Sequence, residues 1–169
     1  MSDQFRLRPA CVADAPAISA ITNHYIRTST AIWRDDEETL DERLAWLAVH
    51  VAPHVAIVVE DAAGTVVGWG SLSPFHARSG WRFTAENSIY LRADHCGRGL
   101  GGRILARLLD DAQAGGLHVV IAAISGDQAA SLALHRRHGF TEAGRLREAG
   151  LKFGRRLDAV YLERRIIGR

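Results

Sequence analysis

The stretch Thr84-Ala85-Glu86-Asn87-Ser88-Ile89-Tyr90-Leu91-Arg92, then Ala93-Asp94-His95-Cys96-Gly97-Arg98-Gly99-Leu100-Gly101-Gly102, then Arg103-Ile104-Leu105-Ala106-Arg107-Leu108-Leu109, decides the fold. It reads as strand, glycine-rich turn and helix. Four glycines fall within six residues, where an apolar run of helical period starts at Leu100. Such a turn lets successive N–H groups point outward together at a helix N-terminus, whose dipole also favours negative charge. The pattern predicts a phosphate cradle.

The rest of the chain bounds what that cradle can serve. A length of 169 residues suits one domain, 1–169, with a single core. Hydrophobic residues make up 47% and charged residues 24%, as in a soluble globular protein. The net charge of +2 gives no reason to invoke nucleic acid. Among 21 basic residues only Lys152 is a lysine, and the arginine-rich last third reads as a solvated face. Cys11 and Cys96 form no framework and have no metal-ligand spacing, so no metal and a reducing, cytoplasmic location are expected. Met1-Ser2-Asp3-Gln4 lacks a signal-peptide apolar core, and the apolar runs at 55–59 and 119–124 are too short to span a bilayer.

Outward from the central stretch, residues 5–9 alternate as a first strand. Asp14 before Ala15-Pro16 predicts a capped helix with Ile18, Ile21 and Tyr25 on its buried face. Residues 28–33 read as a loop carrying Trp33. Thr39 and Glu42 form a capping box for a second helix. Residues 53–60 and 65–72 form a hairpin about Asp61-Ala62-Ala63-Gly64, and 73–82 is a loop. After the central helix, ended by Gly115-Gly116, the run 119–124 reads as a strand covered on both faces. Asp127 then caps a helix that Gly139 ends, and 140–147 and 157–163 are closing strands around a turn-rich 149–156. The order β-α-α-β-β-β-α-β-α-β-β predicts an α/β protein: a mixed, mostly antiparallel sheet of six to seven strands flanked by four helices.

A Walker A loop would need Gly-Lys-Ser/Thr, which is absent. A dinucleotide fingerprint belongs after the first strand of a βαβ series, whereas this loop follows three antiparallel-looking strands. Cys96-Gly97-Arg98-Gly99-Leu100-Gly101 instead resembles the acyl-CoA pyrophosphate loop of the GNAT acetyltransferases, Arg/Gln-x-x-Gly-x-Gly/Ala. Asn23-His24-Tyr25, Ala31-Ile32-Trp33-Arg34, Thr84-Ala85-Glu86, Ile89-Tyr90-Leu91, Ala129-Ala130-Ser131, Leu134-His135-Arg136-Arg137 and Lys152-Phe153-Gly154 resemble the phosphinothricin/methionine sulfoximine N-acetyltransferase subfamily. The departures are Cys96 at the usual Arg/Gln, Gln128 at the usual Asn, and Arg156 where Trp is frequent.

The resemblance implies acetyl-CoA as co-substrate, a small amino acid analogue as acceptor, and detoxification by N-acetylation. It implies a homodimer and no membrane partner. The cofactor side would comprise Gly97, Arg98, Gly99, Leu100, Gly101 and Gly102 at the pyrophosphate and Ile89 and Leu91 along the pantetheine arm. An amide of Tyr90 or Leu91 would hold the thioester oxygen, a contribution of about 3 kcal/mol. Gln128 and Ser131 complete that side. Glu86 would serve as base for an amine that is mostly protonated at neutral pH; the residue pattern alone favours a surface carboxylate at a strand start. His135 would protonate the thiolate, with a helix-face histidine packed beside Leu132 and Leu134 as the alternative. Arg78 and Arg82 would clamp the acceptor carboxylate, Trp33 and Trp81 wall its side chain, with packing in the core an equal alternative for each tryptophan, and Thr84 hydrogen-bond it. Cys96 suits a tight turn better than an acetyl-enzyme, so direct transfer is expected. Two alternatives stay open: a GNAT acting on a peptide N-terminus or another amine, and an acyl-CoA sensor that transfers nothing.

Overall fold

A computed structural model describes residues 4–166, so the first three residues of the N-terminal reading lie outside it. Eleven regular elements follow one another: β1 (Phe5–Pro9), α1 (Ala15–Thr28), α2 (Leu40–Ala48), β2 (Ala56–Asp61), β3 (Val66–Pro74), β4 (Thr84–Leu91), α3 (Leu100–Ala114), β5 (Val119–Ser125), α4 (Ala129–Arg137), β6 (Thr141–Lys152) and β7 (Arg155–Arg165). The strands form one sheet in the order β1-β2-β3-β4-β5-β7-β6. Every neighbouring pair is antiparallel except β4 and β5. The expected element order and mixed sheet are both present. No described helix is long and apolar enough to cross a membrane.

Helix α3 forms where the i, i+4 stripe requires it. Leu100, Ile104, Leu108 and Ala112 are at most 1% exposed and join Ile57, Val59, Val67 and Leu72 in the larger core. Burying each large aliphatic side chain contributes about 1.5–3 kcal/mol. On the other face, Ile18 and Ile21 of α1 pack with Val58 and Trp69, and Trp46 of α2 meets Trp69 edge-on at 5.5 Å. The sheet is thus a middle layer, with α1 and α2 on one side and α3 with α4 on the other. Thr39 and Glu42 make the predicted capping box in both directions.

Two predicted caps are absent, because long-range partners take their side chains. Asp14 holds the Arg8 guanidinium at 2.7 and 2.8 Å and the Cys11 N–H at 2.8 Å, and does not cap α1. Asp127 accepts hydroxyl hydrogen bonds from Thr30 and Ser125, leaving Gln128 as the residue before α4. The predicted turn at 149–156 shrinks to Phe153-Gly154. Strand β6 instead runs on to Lys152, because a register shift between Leu146 and Gly150 lets it follow β7 past the glutamate Glu148, which has φ 50°.

Candidate active site

Strands β4 and β5 pair only at Thr84↔Val119, Ala85↔Val120 and Glu86↔Ile121. Yet β4 continues to Leu91 and β5 to Ser125. Beyond Glu86 the two part, because β5 stays paired with β7 along its whole length while β4 stays with β3. Asn87 closes the fork, its Nδ2 donating to the Ile121 carbonyl at 3.0 Å. The opening is a cavity of about 470 Å³.

Its walls come from both faces of the sheet. Cross-strand pairing puts Glu86, Ser88 and Tyr90 on the α1–α2 face, since Tyr90 stacks near Trp69 at 5.0 Å. Asn87 and Ile89 point to the α3–α4 face, where Ser131 and His135 of α4 also line the cavity. The gap is therefore a passage through the sheet. Ala123 is the exposed position in a strand expected to be covered on both faces, and it faces this passage.

Backbone direction along β4 determines which amides a ligand can use. Arg92 N–H donates to the Val67 carbonyl and Phe75 N–H to that of Thr84. Even-numbered residues of β4 thus turn their peptide groups toward β3, and odd-numbered ones toward the gap. The N–H groups of Ile89 and Leu91 are available there. Tyr90 N–H lies in the β3 ladder, so of the two amides expected to hold a thioester oxygen only that of Leu91 is placed to do so. The Leu91 carbonyl is also taken, by the Tyr25 hydroxyl at 2.7 Å. Alternation alone could have separated Leu91 from Tyr90 in the sequence.

The glycine turn divides into two roles. Gly97 and Gly99 sit at φ 77° and 76°, and a Cβ at either would meet nothing within 4 Å, so the space above them is open. No backbone N–H from Gly97 to Gly102 donates to another described residue, which leaves a row of donors at the N-terminus of a 15-residue helix. Gly101 and Gly102 do something else: Cβ atoms there would stand 3.3 Å from Leu134 and 3.4 Å from His138, so their absence lets α3 approach α4. Leu100 is 1% exposed and offers only its amide. The Arg98 guanidinium is tied to the Asp94 carbonyl at 3.1 Å. Cys96 lies in the preceding turn, its sulfur 3.8 Å from the Tyr25 hydroxyl.

Glu86 is half-buried in the cavity wall and makes no hydrogen bond or ion pair with a described residue. Burial raises its carboxyl pKa above the ordinary value. Tyr90 beside it is pushed up to about 12, by burial first and then by the Glu86 charge. His135, 4% exposed, is held at both nitrogens: Nδ1 lies 2.8 Å from the Ser131 carbonyl and Nε2 lies 3.0 Å from Asn87 Oδ1. Because Asn87 Nδ2 already donates to Ile121, its Oδ1 faces the ring as an acceptor. Two acceptors on one imidazole are both satisfied only by the protonated ring. Burial pulls the pKa the other way, below the ordinary value, against the Ser131 carbonyl.

The expected acceptor residues are only partly brought together. Trp33 lines the cavity, as do Gln128 and Ser131 from the cofactor set. Arg78, Trp81, Arg82 and Thr84 do not. Arg82 donates to the Ser79 carbonyl and lies over the Phe83 ring, and Trp81, 44% exposed, packs on Phe75. The loop between β3 and β4 turns these side chains outward, and Thr84 precedes the fork by a full pleat. Among the described residues, no arginine or lysine lines the cavity. Asn87, Tyr25 and Tyr161 are lining residues to which the motifs gave no role. Of these, Asn87 was signalled by a polar residue at an inward position directly after Glu86.

A forked parallel pair, free strand amides beside it and an open donor row at a helix start together offer backbone donors to a long ligand with an anionic end. Residues 4–141 match the acetyltransferase (GNAT) domain family. The chain belongs to the GNAT acetyltransferase family. Within it, the chain is 42% identical to the L-methionine sulfoximine/L-methionine sulfone acetyltransferase of Pseudomonas aeruginosa, over 93% of this chain and 92% of that one. It is 32% identical to the phosphinothricin N-acetyltransferase of Streptomyces coelicolor, over 95% and 96%. A GNAT superfamily phosphinothricin acetyltransferase from Sinorhizobium meliloti, solved in complex with acetyl-CoA, superposes with a TM-score of 0.93 at 31% identity, covering 98% of this chain and 90% of that one. The GNAT membership makes the chain an N-acetyltransferase, and the open donor row fits the anionic end of acetyl-CoA.

Proposed function

We propose that the protein moves the acetyl group of acetyl-CoA directly to the α-amino group of a small amino acid analogue of the methionine sulfoximine, methionine sulfone or phosphinothricin kind. The observation that carries this is Glu86: a half-buried carboxylate with a raised pKa and no partner among the described residues, at the fork through which the two faces of the sheet communicate. Acetyl-CoA, when bound, supplies an activated acyl carbon. The amides from Gly97 to Gly102 would hold its pyrophosphate, and Ile89 and Leu91 N–H groups its arm and thioester oxygen. Glu86 takes one proton from the ammonium group, directly or through a water, leaving a lone pair on nitrogen. As the new C–N bond forms and the C–S bond breaks, the nitrogen sheds its second proton to solvent water, since Glu86 already carries the first. His135 supplies the proton that the leaving sulfur takes, from the Nε2 position it shares with Asn87. Cys96 stays outside this sequence of events, in the turn below Tyr25.

The cavity wall without arginine or lysine favours a second reading, an acceptor amine that carries no adjacent carboxylate, such as a peptide N-terminus. Thiol release from acetyl-CoA, followed with methionine sulfoximine, phosphinothricin and a short peptide as acceptors, tests both. The account expects turnover with the two analogues and none with the peptide. Turnover with the peptide alone supports the second reading, and none with any acceptor overturns both. We also place a second copy of the chain against β6, an edge strand exposed from Thr141 to Ala149 with Leu146 and Leu151 outward. Light scattering that finds only monomer would contradict that placement.

A further inference from the structure

The acceptor end of the cavity is bounded by a strap between α1 and α2, residues 29–35, which contacts elements about a hundred residues away. One end is fixed at Thr30. Its hydroxyl donates to the Asp127 carboxylate at 2.9 and 3.0 Å and accepts from Gln128 Nε2 at 2.7 Å. Asp127 is itself held by the Ser125 hydroxyl and by Arg155. The other end is fixed by Lys152, 2% exposed, whose ammonium donates to the Arg34 carbonyl and stands 3.6 Å from the Asp35 carboxylate. Between these anchors lies Trp33, with one side to the cavity and another against β6.

The contact with β6 is made at a residue without a side chain. A Cβ on Gly150 would lie 2.3 Å from Trp33 Cε3, 2.4 Å from Cζ3 and 2.6 Å from Cδ2, well inside contact distance. Gly150 has no positive φ, so its backbone would accept any residue, and the constraint is one of space alone. It pairs with Leu157 in the β6–β7 ladder, which fixes its height against the ring. Trp33 is 37% exposed, so the ring has room to leave if it is pushed.

We propose that Gly150 is a specificity-determining position, which seats Trp33 as the fixed wall that limits the acceptor side chain, while Lys152 and Asp127 position the strap that carries the ring. The inference rests on the small-amino-acid reading given above and adds the residues that set how large the acceptor can be. Any side chain at 150 displaces the indole and unseats that wall without touching Glu86 or the glycine turn.

The test is Gly150→Ala, alone and with Trp33→Ala, in the full chain. Gly150→Ala should raise the acceptor KM about tenfold with kcat changed less than threefold, and leave the acetyl-CoA Kd within twofold. In the Trp33→Ala background the same substitution should have no further effect, because no ring remains to be displaced. That double variant folds without the clash, so it still reports if Gly150→Ala alone does not. An unchanged KM in Gly150→Ala, or equal effects with and without the ring, would overturn the proposal. Acrylamide quenching of the Trp33 fluorescence, taken as the difference from Trp33→Ala, gives a readout independent of turnover. It should rise in Gly150→Ala, and no rise means that Gly150 does not seat the ring. Absence of wild-type turnover with every small amino acid would count against the functional reading alone.

Discussion

The two mouths of the passage are built from different materials. On the α3–α4 face most of the available donors are backbone, the N–H row from Gly97 to Gly102 and the amides of Ile89 and Leu91, beside the side chains of Ser131 and His135. On the α1–α2 face they are side chains, Glu86, Ser88, Tyr90 and Trp33, from strands and a strap held by distant partners. Backbone donors on a strand and a helix start keep their geometry whatever the side chains are, so on the proposed reading that mouth should tolerate Cys96 where the resemblance expects Arg or Gln. The other mouth depends on individual side chains, and its fit can change with one substitution. On the proposed reading the first mouth is a fixed cofactor end and the second an adjustable acceptor end.

Glu86→Gln should break the acceptor end most completely. The amide cannot take a proton, and kcat should fall about 10²- to 10⁴-fold while acetyl-CoA affinity holds. The same change should stabilise the fold at neutral pH. Burial raises the Glu86 pKa, so the folded state binds the proton more tightly than the unfolded one. Stability is then lost as pH rises from the ordinary carboxylate range through the raised value, and glutamine removes that loss. A melting temperature for Glu86→Gln below that of wild type at neutral pH would contradict this.

Asn87→Ala sits on the boundary between the two mouths. It leaves the Ile121 carbonyl and His135 Nε2 without their partner, at a cost of about 1–3 kcal/mol in denaturant unfolding. We expect kcat to fall about tenfold or more, and an unchanged kcat would free His135 of its assigned role. Gly99→Ala probes the cofactor end. Its φ of 76° costs an L side chain about 1–2 kcal/mol, seen as a several-fold rise in acetyl-CoA Kd with the acceptor KM unmoved. A shift in both constants would blur the division between the mouths.

The division also decides what could be read from the chain. The cofactor end is local: its strand, turn and helix are contiguous, and the period of Leu100, Ile104, Leu108 and Ala112 shows the helix directly. The element order follows from capping, turn and period signals that act over a few residues. Asp14 and Asp127 misled as caps because Arg8, Thr30 and Ser125 compete for them through space. The acceptor end is not local. Arg78 and Arg82 are near Glu86 in sequence yet face outward, while Gly150 and Lys152, far along the chain, hold its wall. The fork between β4 and β5 has no signature of its own, since it arises from which neighbour each strand keeps.

The pH dependence of kcat/KM for methionine sulfoximine, in wild type and Glu86→Gln, tests the central claim most directly. The account predicts that the wild-type rate falls toward acid with a midpoint above the ordinary carboxylate range, as burial of Glu86 requires, and that this limb is missing in the low activity left in Glu86→Gln. The same acid limb in both proteins would contradict the account.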